Sequence, residues 1–78
     1  MQAPIEFLCD RIASMTGVDR ARVQPASRFI DFGINSVQAM DLVIEVEQRF
    51  AVTVDDRDLA DLRTLADLAA YVEGRSRS

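Results

Sequence analysis

The sequence has no histidine and no lysine, and a single cysteine, Cys9. Without histidine the chain holds no Ser–His or Cys–His nucleophile pair and no imidazole metal ligand. One thiol excludes an intramolecular disulfide and a thiolate metal cluster, and it suits a reducing cytosol. Long apolar runs are missing too. The longest, Leu68 to Val72, is five residues, against roughly 20 for a bilayer span. The N-terminus, Met1-Gln2-Ala3-Pro4-Ile5-Glu6, lacks a basic start followed by an apolar run, so no signal peptide is expected. With no histidine to activate a hydroxyl, an enzyme using its own serine nucleophile is not expected.

What is present suffices for one small domain: 78 residues, 49% of them hydrophobic. Thirteen acidic residues against nine arginines leave a net charge of −4. That sign argues against nucleic acid or an anionic membrane surface and favours basic protein partners. A cytoplasmic monomer is the expectation.

The hydrophobic spacing predicts helices. Ile5, Leu8, Ile12 and Met15 share one face of a helix over Pro4 to Met15, with Pro4 at its first position and Gly17 as its stop. The next segment, Val18 to Asn35, contains Pro25 and Gly33 and shows no sustained period. Loops of that length tend to be functional, and Val23, Phe29, Ile30, Phe32 and Ile34 are expected to pin it to the core. Ser36 to Phe50 is the strongest helix, with Ser36 as its expected cap. Asp55 to Leu62 reads as a short third helix with Leu59 and Leu62 inward. Its carboxylates, Asp55, Asp56, Asp58 and Asp61, lack the glycine and glutamate spacing of an EF-hand, so no metal site is assigned. Thr64 and Asp67 then form a capping-box pattern ahead of Leu65, Leu68, Ala69 and Val72, and Gly74 is the expected end. Together these predict an all-α fold, a small four-helix bundle of three main helices plus a short third one. The domain spans residues 1–74, with a polar tail over 75–78.

Turned at about 100° per residue, the second helix has more apolar surface than one core can use. Ala39, Leu42, Val43, Val46 and Phe50 share the core face. Asp41, Glu45 and Gln48 make an acidic edge expected to face solvent. Val37, Met40 and Ile44 form a second apolar stripe pointing elsewhere. Apolar contact flanked by carboxylates is what a transient protein interface needs, so Val37, Met40, Asp41, Ile44, Glu45 and Glu47 are the candidate docking residues. Cys9 falls between core positions and reads as structural.

At the junction of the long loop and this helix stands Asp31-Phe32-Gly33-Ile34-Asn35-Ser36. A serine at a helix N-terminus presents its hydroxyl beside unpaired N–H groups and the positive end of the dipole, which tolerates a phosphodiester. The segment resembles the Asp-x-Gly-x-(Asp/Asn/His)-Ser signature of acyl and peptidyl carrier proteins. The likeness continues through Glu47-Gln48-Arg49-Phe50, a Val-x-Val linker, a short acidic helix and a final amphipathic helix. Asn35 stands where many family members have aspartate or histidine, Val37 where leucine is most familiar, and Ala51 where glycine is frequent.

The resemblance implies a carrier protein and no enzyme. A covalent 4′-phosphopantetheine arm would sit on Ser36, supported by Asp31, Gly33 and Asn35. Asp31 would cap the turn or help the transferase and its metal ion engage, and residues near the loop and the final helices would line a groove for the acyl chain. Acyl or aminoacyl intermediates would travel as thioesters. Partners would be a phosphopantetheinyl transferase, an acyl- or aminoacyl-loading enzyme, and ketosynthase or condensation-type enzymes. The modest acidity of the second helix, with Asn35, tilts the expectation to a free-standing carrier of polyketide or nonribosomal peptide type. A type II fatty-acid carrier and an unmodified helical docking module are the alternatives.

Overall fold

Pro4 opens the first helix, α1 (Pro4–Thr16), where its missing N–H costs nothing. Gly17 closes it in the left-handed conformation (φ 73°), and its N–H donates to the Ala13 carbonyl at 2.9 Å. The computed structural model describes residues 2–76. Met1 and the last two residues of the expected tail, Arg77 and Ser78, lie outside the described residues. Further along come α2 (Ser36–Phe50), α3 (Asp56–Leu59) and α4 (Leu65–Ser76). The expected four-helix bundle is the architecture observed.

α1 packs against both α2 and α4. Leu8, Ile12, Leu42, Val46, Leu65, Leu68 and Val72 are fully buried at their shared centre. Each such side chain contributes roughly 1.5–3 kcal/mol relative to exposure. Phe7 and Phe50 meet edge to face, 5.7 Å between centroids, at one end of the α1–α2 contact. Arg11 of α1 forks onto Glu45 of α2, Nη2 to Oε1 at 2.8 Å and Nε to Oε2 at 3.2 Å. Cys9 is buried as expected, and burial pushes its thiol pKa upward.

The long loop crosses from α1 to α2 through two 3-10 turns, Arg20–Arg22 and Phe29–Phe32. Val23 and Ile34 are buried and pin it, whereas Ile30 is exposed and does not. Its middle is fastened to the start of α4. The Leu65 N–H donates to the Ser27 carbonyl at 3.1 Å and the Ala66 N–H to the Pro25 carbonyl at 2.8 Å. The Asp67 N–H donates to Thr64 Oγ1, while the Thr64 and Arg63 N–H groups donate to Asp67 Oδ2, all at 3.1 Å. The expected capping box is therefore present, and the first-turn donors that helical geometry leaves without partners are satisfied.

Two boundaries differ from expectation. α3 is a single turn, Asp56–Leu59, with Asp55 as its cap. Beyond it the Asp61 and Leu62 N–H groups reach back only three residues, to Asp58 and Leu59, each at 3.1 Å. That tighter winding eclipses positions three apart, which keeps Leu59 and Leu62 on one side. Gly74 does not end α4, which continues to Ser76. Its φ is not positive, and Arg75 in the final turn is tied to Asp58 at 3.4 Å.

Ala51, at the end of α2, is the one non-glycine residue with positive φ, 54°, among those described. An L-residue there costs roughly 1–2 kcal/mol that glycine does not pay in full. Ala51→Gly is therefore expected to stabilise the fold by about 0.5–1 kcal/mol. Urea and thermal unfolding check this, and an unchanged or lower midpoint would remove the assigned strain. In acid, Asp67 and Asp55 are the groups to watch. Hydrogen bonds from the Thr64 N–H and from the Arg57 side chain, respectively, hold their pKa values below the ordinary range. Their stabilisation is present above about pH 4 and is lost as pH falls through the lowered values. Asp67→Asn should flatten that acid slope in unfolding midpoints measured between about pH 2 and 5.

Candidate functional site

Gly33 ends the second 3-10 turn with φ 71°, a conformation glycine adopts without strain. A Cβ built there would meet nothing within 4 Å, so backbone conformation, not space, is what requires glycine. Asp31 caps that turn: its Oδ2 accepts the Arg28 N–H at 3.0 Å. Ile34 is buried and Asn35 follows, and the chain then enters α2.

Asn35, not Ser36, is the cap of α2. Its Oδ1 accepts the Gln38 N–H at 2.8 Å, and Gln38 Oε1 accepts the Asn35 N–H at 3.1 Å. This reciprocal box corrects the expectation that Ser36 caps the helix. The physical reason is reach, since the cap is the residue before the first helical one. Ser36 is the first residue of the helix, exposed, and its hydroxyl has no hydrogen-bond partner among the described residues.

Ser36 also stands at the mouth of an apolar cavity of about 240 Å³ between α2 and the α3 region. Phe29, Ala39, Met40, Val43, Leu59, Leu62 and Leu68 form its walls. The cavity wall formed by α3 is fastened from outside by polar contacts. The Tyr71 hydroxyl donates to Asp58 Oδ2 at 2.7 Å and accepts the Asp55 N–H at 3.2 Å. The Arg75 guanidinium lies 4.5 Å from the centre of the Tyr71 ring. Burial is the main cause holding the Tyr71 hydroxyl above its ordinary pKa.

The second apolar stripe is uncovered: Val37 is 70% exposed, Met40 43% and Ile44 44%. Ile30, on the loop, is also 67% exposed and was not among the expected docking residues. Its 3-10 turn has no helical period that would have revealed it. The carboxylates divide. Asp41 is exposed. Glu45 is half-buried on Arg11, so it is a fold contact as well as part of the edge. Glu47 turns back to accept the Val54 N–H at 2.8 Å. Among the described residues no three histidine, cysteine, aspartate or glutamate side chains gather to hold a metal ion.

Residues 6–72 match the family described as the phosphopantetheine attachment site. The chain belongs to the acyl carrier protein family. The meromycolate extension acyl carrier protein of Mycolicibacterium aurum is 33% identical over 73 residues, 92% of this chain and 75% of that protein. The acyl carrier protein of Thermotoga maritima is 38% identical over 63 residues, 80% of this chain and 78% of that one. A crystal structure of an acyl carrier protein from Thermotoga maritima superposes with a TM-score of 0.75 at 25% identity, covering 91% of this chain and 84% of that one. The family is a non-catalytic carrier of covalent 4′-phosphopantetheine, served by phosphopantetheinyl transferases and acyl-handling enzymes. Among the described residues no helix is long and apolar enough to cross a membrane.

The division of roles between Asn35 and Ser36 has a direct test. Asn35→Ala should cost about 1 kcal/mol of stability, whereas Ser36→Ala should stay within about 0.5 kcal/mol of the parent. Urea unfolding of the two variants decides it; a larger loss from Ser36→Ala would return the capping role to the serine.

Proposed function

We propose that Ser36 is the attachment residue and that the carrier holds its cargo as a thioester on the arm. The observation that carries this is the exposed, unpartnered Ser36 hydroxyl at the mouth of the apolar cavity. The arm, when bound, supplies the thiol that holds the acyl group. The chain's own residues do the rest. Asn35 and Gln38 take up the cap and leave the hydroxyl free. Asp31 and Gly33 set the turn that delivers it. The helix N-terminus favours the phosphodiester charge.

The cavity walls favour an aliphatic acyl chain, because apart from Ser36 every lining side chain is apolar. That supports a carrier of fatty-acid type, in keeping with relatives named for meromycolate extension. A polyketide or nonribosomal peptide pathway is the second reading. Asn35 supports it, as does an α2 whose Glu45 and Glu47 are engaged with the fold, leaving Asp41 the freer carboxylate. In either pathway Val37, Met40 and Ile44 provide the apolar docking contact, flanked by Asp41 and the exposed part of Glu45. Loading and chain-extending enzymes of the cytoplasm are the partners of this reading.

Intact mass after incubation with coenzyme A, magnesium and a broad-specificity phosphopantetheinyl transferase is the test. One phosphopantetheine should be added to the parent chain and none to Ser36→Ala. A folded chain that gains no mass would leave an unmodified docking module as the better account.

A further inference from the structure

The cavity behind Ser36 shares two of its walls, Phe29 and Leu62, with a second hollow of about 340 Å³. Ile30 and two arginines, Arg28 and Arg63, complete this second space. The two differ in chemistry. Beyond Ser36 the first is lined only by apolar side chains, whereas two arginines stand among the residues around the second. Their backbone positions are tied together. Arg28 forms an isolated antiparallel bridge with Thr64, directly beside Arg63. The neighbouring Leu65 N–H to Ser27 carbonyl bond holds the same pairing.

The local carboxylates leave guanidinium donors for another anion, fewer on Arg28 than on Arg63. Arg28 pairs with Asp31, Nε to Oδ1 at 3.8 Å, while Asp31 Oδ2 accepts the Arg28 backbone N–H. Asp67 is committed to the Arg63 and Thr64 backbone N–H groups and the start of α4. No carboxylate stands within ion-pair distance of the Arg63 guanidinium among the described residues.

We propose that the second hollow receives the far end of a cargo chain lying in the first, and that this end is a carboxylate, as in a chain derived from an α,ω-dicarboxylic acid. The inference rests on Ser36 being the attachment point. A chain entering at Ser36 runs past Ala39, Met40 and Val43 and meets the shared wall of Phe29 and Leu62. Up to that wall it is surrounded by hydrocarbon, which favours methylenes and disfavours polar groups. Past it, a methyl end would gain nothing from two guanidinium groups. A carboxylate accepts their planar, forked N–H donors in charge-assisted bonds. The apolar faces of Ile30 and Leu62 beside the arginines suit the last methylenes of such a chain.

The test attaches the chain chemically, so that it does not depend on a transferase. The thiol of a Ser36→Cys variant is alkylated with two bromoacetamides of equal length, about twelve carbons, one ending in methyl and one in carboxylate. Intact mass verifies a single adduct, buried Cys9 remaining unreacted. At neutral pH the carboxylate-ended adduct should melt about 2–4 °C above the methyl-ended one, with amide NMR shifts centred on Phe29, Leu62 and Arg63. Adding Arg28→Gln and Arg63→Gln together should abolish that advantage while leaving the methyl-ended adduct's melting point relative to its own unalkylated parent unchanged. Equal melting points, or an advantage that survives in the double variant, would overturn the proposal. So would an inert carboxylate-ended chain beside an acidic peptide that shifts the same amides, which would assign the hollow to a protein partner. Failure of the transferase to modify Ser36 would instead count against the attachment reading, and the two results are separable.

Discussion

The long loop, and with it one wall of the cavity beside Ser36, depends on how the start of α4 uses its backbone donors. A helix N-terminus leaves several N–H groups without helical partners. Here the long loop supplies them, with the Ser27 carbonyl on Leu65 and the Pro25 carbonyl on Ala66, while Thr64 and Asp67 satisfy the remainder. The same bonds that complete α4 therefore fix the loop. Phe29 and Arg28 follow within a few residues of the clamp, so one wall of the cavity and one border of the second hollow are set by it. A loop held only by side-chain burial at Val23 and Ile34 would be far freer to slide.

The second constraint is the division of labour at the head of α2. A serine that capped its own helix would have its oxygen occupied by a backbone N–H. Asn35 removes that conflict by doing the capping with Gln38. Asparagine and aspartate are both strong caps, so the departure from the more familiar aspartate changes local charge without changing the mechanical role. What remains is a hydroxyl presented by a rigid element and a turn whose shape Gly33 makes possible.

Much of this was legible in the sequence because it depends on spacing. The 3.6-residue period placed Leu42, Val43 and Val46 inward and Val37, Met40 and Ile44 outward, and the structure agrees. The Thr64–Asp67 box and the Gly17 stop are local chemistry and were readable as such. The misses are of other kinds. Whether Asn35 or Ser36 caps α2 turns on a one-residue offset, which periodicity does not resolve. Gly74 was read as a stop, but that holds only where φ is positive, and here α4 runs on to Ser76. Ile30, the pairing of Glu45 with Arg11 and the return of Glu47 to Val54 are decided by which segments meet in space. The cavity likewise needs α2, α3 and the loop together, and no single stretch encodes it.

The fastening of α3 has a kinetic consequence. This one-turn helix contributes Leu59 to the cavity wall, yet none of its residues is fully buried, and Tyr71, Asp58, Asp55 and Arg75 hold it through hydrogen bonds at the water boundary. Bonds of that kind exchange readily with solvent and contribute only about 0.5–1.5 kcal/mol each. Moving α3 aside therefore leaves Leu8, Ile12, Leu42 and Val72 packed. Displacement of α3 is thus a local event, separate from the stability of the bundle as a whole, and under the proposed attachment at Ser36 it would uncover the cargo. A small carrier can in this way have a firm scaffold and a short residence time for its cargo together.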